Sequence, residues 1–176
     1  MSVRAITAQS NPVRVLSFIV PQLTHEMPLK SRYENLFRDC LLDAGIPTRY
    51  ESLRFYLKEY NNIGNEITYT PDFISNLTVN GKIVLFEPHP MRFMGLGQIH
   101  RDVAKFHAFM ELEEGNYHLI VASDINSMLL STRINKDVSY FSSEYWEIPV
   151  IPMNAENPET RAVIMNNLKE LLRRAD

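Results

Sequence analysis

Apolar positions change period along the chain, and the changes mark its elements. "VRVLSFIV" is a continuous apolar run that reads as a first strand, followed by the proline-containing connection "PQLTHEMPLK". In "SRYENLFRDCLLDAGIP" the period becomes helical: Tyr33, Leu36, Phe37, Cys40, Leu41 and Ala44 share one face. Ser31 stands as N-cap with Glu34 three residues later, a capping box, and Gly45 and Pro47 stop the helix. Glu34 falls about 90° from the middle of that face, so it can stay in water or lean over the edge of the core.

"TRYESLRFYL" reads as one strand and "KEYNNIGNE" as a loop. "DFISNLTV" and "KIVLFE" form the clearest hairpin, because Asn80-Gly81 supplies the positive φ angles of a tight turn. "GLGQIHRDVAKFHAFMELEEG" predicts a long helix with Ile99, Val103, Phe106 and Met110 inward, and "NYHLIVAS" a buried strand. Further on, "DINSMLLST" predicts a short helix capped by Asp124, and "WEIPVIPM" a late strand. "NPETRAVIMNNLKELLRR" predicts an amphipathic helix with Pro158 near its start. Helices before, between and after strands predict a single α/β domain over residues 1–176, with one mixed central sheet flanked by helices on both faces.

Composition narrows this picture only a little. A net charge of −3 removes the support a basic chain would lend to nucleic-acid binding, yet leaves room for a local basic stripe beside a site built from carboxylates. No apolar run approaches the roughly 20 residues of a membrane helix, and no secretion signal is read at the N-terminus. Cys40 is the sole cysteine, which predicts a reducing, cytoplasmic setting and no disulfide. It falls on the apolar helix face and reads as core.

Candidate chemistry concentrates in the hairpin, "YTPDFISNLTVNGKIVLFEPHP". Side chains on a strand alternate faces, so Glu87 and His89 share one, and Asp72 can lie near Glu87 across the ladder. Two close carboxylates repel unless something positive joins them, and a hard cation such as Mg²⁺ or Mn²⁺ is the usual solution. Pro88 cannot donate to a ladder, so the strand must end, bulge or lie at an edge there.

Taken in order, the capped helix with Glu34, the strand pair, "TPDF" and "FEPH" resemble the PD-(D/E)xK nuclease superfamily, over roughly residues 31–122. The resemblance looks closest to transposon-end-cutting endonuclease subunits and resolvase-like members. It implies a restriction-endonuclease-like fold and a divalent-metal-dependent endonuclease acting on DNA. It also implies that Asp72 and Glu87 hold Mg²⁺ or Mn²⁺ and that Glu34 completes the shell. His89 stands where the family has lysine, and a histidine, with an ordinary pKa of about 6.5, can serve as general base on the attacking water or ligate metal. Lys105 can supply the missing positive charge if its helix packs over the hairpin, and Gln98, on the same flank, can face the site or phosphate.

Other residues carry plainer expectations. Glu51 is a second site acid or, preferably, a solvated strand end. His100 and His107 lie seven apart, about 10 Å along a helix axis, too far to share a metal by themselves. His25 and His118 show no ligand spacing, and "GLG" lacks the Lys-Ser/Thr of a P-loop. The aromatics of "SYFSSEYW" fit base stacking or ordinary packing. Two alternatives stay open: a nuclease fold kept as an inactive DNA- or protein-binding module, and a subunit active only with a DNA-targeting partner. The oligomeric state stays open too, with a homodimer one expectation because cutting two strands commonly requires two copies.

Overall fold

The computed structural model describes residues 15–17, 22–57, 67–91, 94–113, 115–124 and 148–176. The chain builds a mixed α/β fold on a five-stranded sheet. In chain order the elements are β1 (Val15–Ser17), α1 (Arg32–Asp43), β2 (Thr48–Tyr50), β3 (Leu53–Leu57), β4 (Ile67–Tyr69) and β5 (Phe73–Val79). They continue with β6 (Lys82–Pro88), α2 (Leu96–Glu113), β7 (Tyr117–Ser123), β8 (Val150–Pro152) and α3 (Thr160–Arg174). The main sheet runs β2-β5-β6-β7-β8, antiparallel up to β6 and parallel beyond it. The helix α2 makes the β6–β7 crossover, as parallel neighbours require.

The β5–β6 hairpin closes as its sequence predicts. Asn80 and Gly81 take φ of 53° and 73°, and Val79 pairs with Lys82 around them. A register shift between Ile74 and Thr78 bulges β5. Ser75 accommodates it: its hydroxyl donates to the Val84 carbonyl at 2.8 Å and accepts from the Leu77 N–H at 3.2 Å.

Alternation on β6 separates two cores. Val84 and Phe86 pack with Phe37, Cys40 and Leu41 of α1 and Ile164 and Leu168 of α3. Leu85 packs on the opposite side with Ile99, Val103, Phe106 and Met110 of α2. The sheet is therefore covered by helices on both faces, and the four inward residues expected of α2 are all buried. Cys40 is buried in the first core, and burial pushes its thiol up to about 11.

Two expectations need correction. "TRYESLRFYL" is two strands in different sheets, because Glu51 adopts a positive φ of 42° and turns the chain between β2 and β3. The buried phase slips at the turn, from the even positions Thr48 and Ser52 to the odd positions Phe55 and Leu57, within a run short enough to read as one strand. The second difference follows: a three-stranded antiparallel sheet, β1-β3-β4, accompanies the main one. Its Phe55, Leu57 and Tyr69 pack into the α2 core, Phe55 edge-on to Phe109 at 4.9 Å.

Pro88 ends a central strand. Odd positions of β6 donate to the β7 side, as Ile83 does to Asn116 and His89 to Ala122 at 2.8 Å, so position 88 faces the β5 side. There β5 begins only at Phe73, the partner of Phe86, and the missing N–H removes no ladder bond. The short helix expected after Asp124 and the aromatics of "SYFSSEYW" lie outside the described residues, while the Asp124 carboxylate accepts from the Met91 N–H at 2.8 Å. No helix among the described residues is long and apolar enough to cross a membrane.

Candidate functional site

Glu87 is the centre of the site. It leaves β6 on the α2 face, where the surrounding positions are apolar, and is 7% exposed. Its Oε2 accepts from the Tyr69 hydroxyl at 2.9 Å and from the Asp72 backbone N–H at 3.3 Å. Its Oε1 lies 3.8 Å from His89 Nδ1. Glu87 and His89 thus share a face, and Asp72 meets Glu87 where the β5–β6 ladder opens.

Asp72 is half-buried, and its carboxylate accepts no hydrogen bond from the described residues. Burial raises its pKa well above the ordinary 3.8, and the charges of Glu87, Glu34 and Glu51 raise it further against a smaller opposing effect of Lys30. Glu87 is also raised, by burial, although His89, the two hydrogen bonds and Lys105 pull the other way. The positive charge of Lys30, His89 and Lys105 thus does not offset the burial of the pair.

Two more acids border it. Glu34 is 8% exposed at the start of α1, resolving its expected position in favour of the core edge. Its N–H donates to Ser31 Oγ at 3.1 Å, but its carboxylate returns to the Lys30 N–H at 3.2 Å rather than to Ser31. The same oxygen accepts from the Tyr50 hydroxyl at 2.5 Å. Glu51, expected to be solvated, is half-buried: its N–H donates to the Asp72 carbonyl at 2.8 Å and its carboxylate pairs with Lys30.

On the α2 side, His89 Nε2 lies 3.0 Å from Asp102 Oδ2, and Phe106 stands edge-on to the ring at 5.5 Å. Gln98 Nε2 donates to the same Asp102 oxygen at 2.8 Å, and Lys105 Nζ is 3.5 Å from the other. Burial alone would raise the Asp102 carboxyl; hydrogen bonds from His89 and Gln98, with the charges of His89 and Lys105, hold it down at about 2. The expected pair Gln98 and Lys105 thus joins the site through Asp102.

Two contributors escaped sequence reading. Tyr69 lies on β4, a three-residue strand too short to stand out. Asp102 had a readable signal: it sits three residues after Ile99 and four before Phe106, a charge inside the apolar stripe of α2. His25 pairs with Asp39 at an exposed position, and His107 and His118 are half-buried away from the acids, both with pKa lowered by burial, with Lys82 adding to the effect on His118.

The donor set suits an ion that takes two protein carboxylates and keeps water, as Mg²⁺ does. Asp72 and Glu87 could hold it, with Glu34, one of whose oxygens is taken by Tyr50 and Lys30, acting through water. Among the described residues, no group of three or more His, Cys, Asp or Glu side chains is arranged to hold a metal directly. Compared with known protein families, curated proteins and solved structures, the chain gave no match.

Proposed function

We propose that this chain is a divalent-metal-dependent endonuclease of restriction-endonuclease-like architecture that hydrolyses DNA phosphodiester bonds in the cytoplasm. The observation that carries the reading is the meeting of Asp72 and Glu87 at the open end of a central hairpin, two carboxylates raised by burial, Asp72 also by the charge of Glu87. They would hold Mg²⁺ or Mn²⁺, with Glu34 completing the shell through water. Bound there, such an ion lowers the pKa of a water and offsets charge on the phosphoryl group. His89, whose Nδ1 faces Glu87 Oε1 at 3.8 Å, would serve as general base. Lys105 supplies positive charge whose effect reaches Glu87.

A supercoiled-plasmid nicking assay with Mn²⁺ tests the reading. Native protein should nick, and Asp72→Ala and Glu87→Ala should not, while circular dichroism reports an intact fold. Full activity in both variants would overturn it. One observation favours a second reading, a binding module for DNA or a protein partner: tyrosine hydroxyls already occupy one oxygen each of Glu34 and Glu87. Silence across metals and substrates, with or without a DNA-targeting partner, selects that reading.

A further inference from the structure

Asp102 has no counterpart in the motif that suggested nuclease chemistry, yet three side chains, His89, Gln98 and Lys105, converge on it. It is 4% exposed on a helix face otherwise given to Ile99, Val103 and Phe106. A carboxylate is kept in such a place only when its acceptors are filled. Here Gln98 and His89 meet one oxygen, at 2.8 and 3.0 Å, and Lys105 approaches the other at 3.5 Å. Arg101 Nη2 in turn donates to Gln98 Oε1 at 2.6 Å, fixing which end of that amide faces Asp102.

The consequence falls on His89. A neutral imidazole carries one N–H, and the hydrogen bond at one nitrogen decides which. An ionised Asp102 can only accept, so the proton belongs on Nε2. The lone pair is left on Nδ1, the nitrogen that faces Glu87 Oε1 at 3.8 Å. Phe106 packs edge-on against the ring, at an interplanar angle of 87°.

We infer that Asp102 is a positioning residue that holds His89 in the Nε2–H tautomer with Nδ1 turned to the Asp72–Glu87 pair, making histidine a working replacement for the expected lysine. The inference rests on the proposed nuclease reading for its chemical purpose, but the pairing itself is testable without cleavage.

The experiment has two arms on the full chain. In ¹H–¹⁵N spectra of histidine-labelled protein, native His89 should give a slowly exchanging imidazole Nε2–H signal, assigned by its loss in His89→Gln. Asp102→Ala should abolish that signal while the backbone spectrum stays native. The kinetic arm compares His89→Ala, Asp102→Ala and the double variant in metal-dependent nicking. Asp102→Ala should lower kcat by about 10- to 100-fold with KM little changed, the size usual for a residue that orients a site histidine. The double variant should be no slower than His89→Ala alone, because Asp102 acts through His89. A missing Nε2–H signal, or multiplicative losses in the double variant, overturns the inference. If the signal is present and native protein never cleaves, the nuclease reading fails and the pairing stands.

Discussion

Asp72 and Glu87 meet through a backbone-to-carboxylate contact, with the Asp72 N–H 3.3 Å from Glu87 Oε2, and their charges oppose each other across it. Both pKa values are raised from their ordinary 3.8 and 4.5. The folded state therefore binds protons more tightly than the unfolded one. Stability is fully present below about pH 4 and is lost as pH rises through the raised values. Asp72→Asn should remove that penalty. We expect its Tm, measured with chelator present, to exceed native by a few degrees at pH about 8, at roughly 2–4 °C per kcal/mol for a chain of this size. At pH about 4 the two proteins should melt together. A lower Tm for the variant at the higher pH would contradict the charge argument.

Tyr69 offers Glu87 a buried hydroxyl at 2.9 Å, while its ring packs against Phe109 at 4.9 Å. Tyr69→Phe keeps the ring and removes one donor. Since that hydrogen bond favours the ionised carboxylate, the cost should be about 1–3 kcal/mol where Glu87 is charged and smaller in acid. Urea denaturation at two pH values measures it. Equal cost at both would show that the hydroxyl does not act through the charge of Glu87.

His107 and His118 provide a pH response remote from the acids. Burial lowers both from 6.5, with Lys82 adding to the effect on His118. The unfolded chain then binds more protons in this range, so their contribution is intact above pH 6.5 and lost as pH falls through the lowered values. Replacing either by Gln should flatten the decline in stability below that point. An unchanged slope in both variants would contradict the shift.

Two glycines should respond oppositely to alanine. Gly81 has φ of 73°, so Gly81→Ala should cost about 1–2 kcal/mol although open space surrounds its Cβ position. Gly97 also has open space, but it lies in the first turn of α2, and Gly97→Ala should stabilise by up to about 1 kcal/mol. Thermal melts of the two variants give the signs directly.

Local chemistry made much of the framework legible in the sequence. Ser31 and Gly45 bound α1, Asn80-Gly81 sets the β5–β6 register, and strand parity puts Glu87 and His89 on one face. Each depends on residues close along the chain, where steric and hydrogen-bonding rules act alone. Tertiary packing decided what those rules leave undetermined. The turn at Glu51 sends β3 into a second sheet, which brings Tyr69 onto Glu87. The docking of α2 carries Asp102, Gln98 and Lys105 to His89. These partners lie 13 to 18 residues from theirs in sequence, or are linked through one that does. Only the burial of two apolar faces sets their distance, so spacing could nominate the two acids while the fold chose the company they keep.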